Sequence, residues 1–304
     1  MKKIEEQVIT LFEERGPLTG MELLEALDVD SLILWRTCQS SKRIMIQRIG
    51  TRYLRLDRRI KGYARLSPSI LREFLTYSVA GPSNDPSSII QKAEHVYSQI
   101  ERVSRAKSEL AYSVVSSLDN LLENETPIHD QVCFILGGDI VFNMAHDVPR
   151  PERSTGKPVR GSDIDLVVIV EDLLPKAIVE RLDNAIFKEK YRLLITPHIR
   201  EEIDYVVKKF GKLKEQVQFD HFKHMVASKI LHEGALLYGN EEIFRRAKSL
   251  LKEHGIIQRL NVMEKRAVEF REKAIERLLH EDIQKIKEES MYLFYPTEES
   301  EEFE

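Results

Sequence analysis

Two acidic residues, Asp163 and Asp165, stand one residue apart at the start of an apolar run that continues through residues 167–170. The run is rich in valine and predicts a buried strand, on which side chains alternate between the two faces. Both carboxylates therefore point to the same side. Ionised carboxylates so close repel each other unless a cation lies between them, and their hard oxygen atoms are ligands that Mg²⁺ and Mn²⁺ prefer. The pair predicts a metal site that handles phosphates.

A second short apolar run, residues 132–136, ends in Gly137 and Gly138. Paired glycines after a strand let the backbone turn sharply and approach a ligand closely. Backbone N–H groups exposed at such a turn can bind phosphate oxygens, particularly ahead of a helix, which we predict from residue 139. We interpret Gly137 and Gly138 as nucleotide-binding residues.

The order of strand, Gly-Gly and then Asp-Ile-Asp-Leu opening a second strand resembles the nucleotidyltransferase fold of the DNA polymerase β superfamily. Minimal members of that superfamily often end in Glu-Gly-x-x-Leu-Tyr-Gly, and residues 233–239 read Glu-Gly-Ala-Leu-Leu-Tyr-Gly. The step Arg160-Gly161-Ser162-Asp163 is similar to the Arg-x-Ser step of toxin-type members. The resemblance covers residues 126–255 and implies Mg²⁺ or Mn²⁺, an NTP substrate and a nucleotide-binding role for Ser162. It also implies that a hydroxyl attacks the α-phosphorus while pyrophosphate leaves.

The stretch between Gly138 and Asp163 is longer than the resemblance implies. It is basic and interrupted by prolines, which predicts a loop. One interpretation is a flap that supplies Arg or Lys to the triphosphate, and the other is a solvated surface loop. Arg160 is the favoured nucleotide contact because it lies nearest the aspartate pair in the sequence. At residue 139 the chain has an aspartate where the superfamily has a serine that meets a terminal phosphate.

The third carboxylate that the superfamily takes from its next strand is not obvious. The next apolar run, residues 191–197, has Leu193 at the corresponding position. Asp204 is the next catalytic candidate if its segment is a strand. However, apolar residues recur at helical spacing from Ile199 to Leu213, so we predict a helix there. A site with two carboxylates remains the alternative.

The N-terminal segment predicts a separate module. A helix over residues 4–14, a capping-box pattern at Thr19 and Glu22, and a third helix through Trp35 are followed by two strands, which we place in residues 44–56 around Gly50. Three helices plus a hairpin resemble a winged helix.

The same segment is strongly basic. Residues 36–65 contain ten Lys or Arg against one acid, although the formal net charge of the chain is −4. That excess predicts a surface that binds nucleic acid, DNA or RNA. The alternative interpretation of such a module is protein docking or dimerisation. The predicted contacts to nucleic acid are Lys42, Arg43, Arg48, Arg52 and Arg55.

The rest of the chain predicts helices. A turn-rich hinge at residues 80–87 precedes a long amphipathic helix over 88–122, and a charged helix over 262–289 precedes the acidic tail 298–304. The predicted fold class is α+β, with a winged helix-turn-helix at 1–80, a helical linker at 81–125, a mixed sheet with flanking helices at 126–255, and a C-terminal helix and tail at 256–304.

Several classes of protein and site are not favoured by the sequence. Two cysteines, at 38 and 133, support neither a disulfide framework nor a zinc site. His221, His224 and His232 have no nearby Cys or HExxH pattern, so we do not predict them as metal ligands. No membrane span or targeting signal is evident, and a cytoplasmic protein is expected.

Two functions follow from these features. The first is a metal-dependent nucleotidyltransferase that moves a nucleoside monophosphate to a hydroxyl of RNA, tRNA or protein, with an antitoxin or other protein as a possible partner. The second is a nucleic-acid-binding regulator whose transferase domain binds nucleotide with weak or no turnover.

Overall fold

The computed structural model describes residues 2–123, 129–152, 156 and 158–296, so the acidic tail 298–304 lies outside the described residues. The chain is a mixture of helices and strands, as the predicted α+β class requires. It divides into two compact units. One contains residues 1–100 and 263–304, and the other contains residues 101–262. The predicted C-terminal segment 256–304 is therefore shared, and its larger part groups with the N-terminal residues.

The N-terminal part of the first unit contains four helices and five strands. In chain order they are α1 (Lys2–Arg15), β1 (Leu18–Thr19), α2 (Gly20–Ala26), α3 (Ser31–Ser40), β2 (Ile44–Arg48), β3 (Tyr53–Leu56), β4 (Ala64–Ser67), α4 (Ile70–Thr76) and β5 (Ser78–Pro82).

The remaining elements follow the long helix α5 (Pro86–Glu123), which confirms the helix predicted over 88–122. They are β6 (Val132–Leu136), α6 (Gly138–Val141), β7 (Pro149–Pro151), β8 (Pro158–Arg160), β9 (Ile164–Val170), α7 (Lys176–Ile195), β10 (Ile203–Lys209), α8 (Phe210–Gln216), α9 (Phe222–Glu233), β11 (Ala235–Gly239), α10 (Glu241–Glu253), α11 (Ile256–His280) and α12 (Ile283–Glu289).

The first unit contains a three-stranded antiparallel sheet in the order β1-β5-β2 and a separate hairpin of β3 with β4. The capping box of Thr19 and Glu22 at the start of α2 is confirmed. The predicted pairing within residues 44–56 is wrong. β2 pairs instead with β5, with Ile44 opposite Pro82, and Ile49 N–H donates to Tyr77 O at 2.8 Å. Alternating apolar residues identify a strand but not its partner, and here the partner is distant in sequence.

Helix α3 is buried on most of its surface. Leu34, Trp35 and Cys38 lie in one core with C-terminal residues such as Leu278 and Phe294, and the rings of Trp35 and Phe294 are 5.5 Å apart. Arg36 is buried too, and its guanidinium donates to the carbonyl oxygens of Leu278 and Glu281 at the end of α11. A helix that is apolar nearly all round is stable only when it is covered in this way.

The second unit contains a mixed sheet in the order β10-β9-β6-β11. β9 and β10 are parallel, whereas β6 is antiparallel to both β9 and β11. The even-numbered residues of β9 face a core that also contains residues of α5 and α7. The two runs predicted as buried strands, residues 132–136 and 167–170, are confirmed by β6 and β9.

The predictions for residues 191–213 are wrong in two places. The apolar run 191–197 is not the next strand but mostly the last part of α7, because Leu193 joins Leu182 and Ile186 on the buried side of that helix. The helix predicted from Ile199 to Leu213 is replaced by strand β10 and then α8. Ile203, Tyr205 and Val207 face the core of the second unit at a period of two.

Candidate functional site

Three aspartates lie on one face of the mixed sheet. Asp163 immediately precedes β9, Asp165 lies within β9, and Asp204 on β10 is directly opposite Asp165 in the parallel register. Because Ile164, Leu166 and Ile203 enter the core, the intervening aspartates occupy the opposite face. β10 thus brings Asp204 beside the pair, which the wrongly predicted helix would not have done.

The paired glycines contact Asp165. Gly137 N–H donates to the backbone oxygen of Asp165 at 2.9 Å. Gly138 has φ of +66°, and a Cβ at this position would collide with the Asp165 carboxylate. A side chain is therefore excluded at 138 both by the backbone conformation and by the close approach to Asp165.

The end of α9 brings a further acidic and a basic side chain to this site. Lys229 Nζ lies 2.6 Å from Glu233 Oε2, and both side chains are largely buried. Ile230 packs against Gly137, since a Cβ there would lie 3.3 Å from its Cγ2. Glu233 begins the Glu-Gly motif that carried the resemblance, so a signal for it was present, but the sequence reasoning did not name Glu233 or Lys229 as site residues.

Like charges surround Asp165. Its pKa is raised to about 7, first because of burial and then because of the charges of Asp139, Asp204 and Glu233, against which Lys229 acts in the opposite direction. Burial also raises the pKa of Glu233, and Lys229 opposes that shift. We call Asp139, Asp163, Asp165, Asp204 and Glu233 the acidic cluster. Its all-oxygen donor set and its unfavourable like charges fit a hard divalent cation such as Mg²⁺ or Mn²⁺.

Besides Lys229, two other basic side chains contact members of the acidic cluster. The Arg150 guanidinium makes ion pairs with Asp163 and with Glu202, the latter at 2.9 Å, and donates to Gly161 O at 2.8 Å. Lys190 Nζ lies 3.3 Å from Asp204 Oδ1. Arg150 lies between Gly138 and Asp163, in the same segment as Arg160, the predicted nucleotide contact. Arg160 was favoured because it is nearer to the aspartate pair in the sequence, but Arg150 on β7 is the residue that contacts Asp163.

Arg160 and Ser162, which the sequence predicts as nucleotide-binding residues, make contacts with other residues of the protein. Arg160 is exposed, and its backbone N–H donates to Arg200 O at 3.0 Å. Ser162 is buried, its hydroxyl donates to Asp139 Oδ2 at 2.9 Å, and the same hydroxyl accepts the N–H of His146 at 3.2 Å. Ser162 therefore links the backbone of His146, in the segment between Gly138 and Asp163, to the Asp139 carboxylate.

The five basic residues predicted to contact nucleic acid differ in exposure. Lys42, Arg43 and Arg48 are exposed, but Arg43 pairs with Glu6 at 2.5 Å. Arg52 makes a two-pronged ion pair with Glu73 at 2.6 Å. Arg55 is partly buried on β3. The turn between β3 and β4 presents three further exposed cations, Arg58, Arg59 and Lys61.

A third group of titratable side chains lies where α9 begins. Asp220 Oδ1 is 2.7 Å from His221 Nδ1 and 2.6 Å from His224 Nδ1. Within the described ranges, Asp220, His221 and His224 are the one set of three His, Cys, Asp or Glu side chains whose ligand atoms all lie within 4.8 Å of one another. Asp163, Asp165 and Asp204 therefore do not converge this closely.

Two further findings concern membrane-spanning helices and similarity to known proteins. Among the helices of the described residues, none is both long enough and apolar enough to cross a membrane. No protein-family model matches this chain, and no curated protein matches it.

Proposed function

We propose that the protein is a metal-dependent nucleotidyltransferase. The observation that carries the proposal is the register of β9 and β10, which brings Asp204 beside Asp165 and so adds a third carboxylate to Asp163 and Asp165. The glycine turn at 137–138 lies against Asp165. This combination supports the nucleotidyltransferase fold that the sequence resembles.

The residues have distinct roles in this proposal. Asp163, Asp165 and Asp204 would hold Mg²⁺ or Mn²⁺, which when bound neutralises phosphate charge. The backbone at Gly137 and Gly138 leaves room for the nucleotide. Lys229 limits the negative charge next to Asp165. An acceptor hydroxyl must lose its proton as the bond to phosphorus forms, and Asp204, the more exposed carboxylate of the register pair, is the proposed proton acceptor.

The N-terminal elements support a winged-helix module with an enlarged wing. The order α1-β1-α2-α3-β2-β5 and the sheet order β1-β5-β2 correspond to that topology, with β3, β4 and α4 inserted before the last strand. Because α3 is covered by the C-terminal helices, we propose that nucleic acid contacts exposed cations outside α3. These are Lys42, Arg48, Arg59 and Lys61.

RNA, tRNA or a protein is the proposed acceptor. A basic module offers a binding surface to a nucleic-acid acceptor or to a protein that is bound to nucleic acid. A small-molecule acceptor would not need such a surface.

The deciding experiment incubates the purified protein with each of four α-labelled NTPs, Mn²⁺ or Mg²⁺, and total RNA. Label on RNA or on protein is expected with the wild type. Removal of a proton acceptor or metal ligand costs about 10²-fold or more, so Asp204→Asn should abolish most labelling. Asp183→Asn, at an exposed position of α7, is the matched control and should label normally. Equal labelling by wild type and Asp204→Asn would contradict the proposal.

The regulator without turnover is the second candidate function. It is favoured by the ion pairs of Asp163 with Arg150 and of Asp204 with Lys190, and by the absence of Asp163, Asp165 and Asp204 from the set of described side chains whose ligand atoms lie within 4.8 Å of one another. This candidate predicts that nucleotide binds but that no labelled product forms under any of these conditions.

A further inference from the structure

Three potential metal ligands outside the acidic cluster meet at the start of α9. A single carboxylate oxygen, Asp220 Oδ1, is within 2.7 Å of one imidazole nitrogen on His221 and within 2.6 Å of another on His224. The set therefore combines one oxygen donor with two nitrogen donors, and these atoms all lie within 4.8 Å of one another. The all-oxygen acidic cluster offers no such combination.

The backbone holds these three side chains in place. Phe219 is buried immediately before Asp220, and Met225 N–H donates to His221 O at 3.0 Å in the first turn of α9. Farther along the helix, the Ser228 hydroxyl donates to Gln216 O at 3.0 Å and fixes α9 to the end of α8. His221 and His224 are three residues apart and therefore lie on the same side of the turn.

The donor atoms of the group are close enough for one cation to contact them together. Asp220 Oδ1 lies within hydrogen-bond distance of Nδ1 on both rings, and the two ring centroids are 3.7 Å apart. A cation bound through Asp220 Oδ1 and the two Nδ1 atoms would take the place of the Nδ1 hydrogens, while each neutral ring keeps its proton on Nε2.

We infer that Asp220, His221 and His224 form a binding site for a first-row transition-metal ion of the Zn²⁺ class, with water in the remaining coordination positions. Imidazole nitrogen with one carboxylate is a donor set for Zn²⁺, Ni²⁺ or Cu²⁺, whereas Mg²⁺ prefers oxygen alone. Three protein ligands with an open position are sufficient for Zn²⁺. The inference is independent of the proposed transferase activity.

The test uses the full-length protein and two metals. Zn²⁺ affinity is measured by competition with a chromophoric chelator, and Cu²⁺ is bound for electron paramagnetic resonance. Two nitrogen ligands give superhyperfine splitting that an all-oxygen site such as the acidic cluster cannot give. His198→Ala, at an exposed histidine between α7 and β10, is the matched control.

Metal affinity falls about 10- to 100-fold when only a residue that hydrogen-bonds to a ligand is lost. His221→Ala and His224→Ala remove a ligand itself, so each should weaken Zn²⁺ binding by at least about tenfold. In both variants the Cu²⁺ spectrum should change from the splitting of two nitrogens to that of one, and His198→Ala should change neither readout. Asp220→Asn keeps both histidines and nearly the same shape, and it should weaken Zn²⁺ binding as well. Zn²⁺ affinity that is unchanged in all three variants, or a two-nitrogen Cu²⁺ pattern that survives in His221→Ala and His224→Ala, would overturn the inference.

Discussion

Arg150 and a divalent cation would share one partner, the Asp163 carboxylate. The guanidinium is largely buried and is also fixed by Glu202 and by Gly161 O, so it lies beside Asp163 as an internal counter-ion. Metal that binds to Asp163 must therefore compete with Arg150.

Replacement of Arg150 should consequently tighten metal binding. An ion pair of this kind is worth on the order of 1 kcal/mol, so Arg150→Gln should raise Mn²⁺ affinity about fivefold in calorimetric titration. Arg200→Gln removes the same charge at an exposed nearby position and should leave Mn²⁺ affinity almost unchanged. If both variants bind Mn²⁺ like the wild type while Asp163→Asn binds it more weakly, Asp163 is a ligand but Arg150 is not its competitor.

Asp165 makes the stability of the metal-free protein depend on pH. Its pKa rises from 3.8 to about 7 on folding, so the folded state holds its proton more tightly than the unfolded state does. Its ionised form therefore costs stability, and this cost grows from pH 3.8 to about 7 and stays level above that.

Asp165→Asn should remove that cost. In urea unfolding with a chelator present, the variant should be more stable than the wild type by on the order of 2 kcal/mol above pH 7, with the difference vanishing towards pH 4. Added Mg²⁺ should reduce the difference by stabilising the wild type. A difference that is the same at every pH would mean that the gain does not come from the Asp165 charge.

At the scale of elements, the C-terminal helices are part of the N-terminal core. Phe294 is fully buried against Trp35 of α3. Removal of a buried phenylalanine side chain typically costs about 3–5 kcal/mol, so Phe294→Ala should lower the free energy of unfolding of the first unit by that amount. The control is Tyr292→Ala, because Tyr292 is exposed. Tryptophan fluorescence measures both, since Trp35 is the only tryptophan.

Elements with a strong local pattern could be predicted from the sequence, and elements defined by distant partners could not. The capping box at Thr19, the helix over 88–122 and the strands around residues 132–136 and 167–170 are confirmed. β10 was missed because Ile203, Val206, Val207 and Phe210 fit a helical spacing, whereas Ile203, Tyr205 and Val207 fit an alternating one. Only its pairing with β9 decides between the two.

The same reasoning applies to the candidate site residues. Asp163, Asp165, Gly137 and Gly138 are neighbours along strands that the sequence reveals, so their grouping was predictable. Arg150, Lys190 and Glu233 reach the aspartates from a hairpin and two helices, and sequence separation carries no information about such contacts. Burial of Arg36 by α11 was equally invisible, although the apolar composition of α3 was a signal that this helix is covered.

For the molecule as a whole, the basic side chains of the first unit should decide whether nucleic acid is bound. Each lysine or arginine that contacts phosphate contributes about one unit to the slope of log affinity against log salt. Replacement of Lys42, Arg48, Arg59 and Lys61 by glutamine should therefore weaken RNA or DNA binding and flatten that slope by up to about four units. The matched control replaces four exposed lysines of the second unit, Lys176, Lys188, Lys212 and Lys214. Equal loss in both quadruple variants would indicate an effect of net charge alone, and no loss in either would contradict a nucleic-acid partner at these cations.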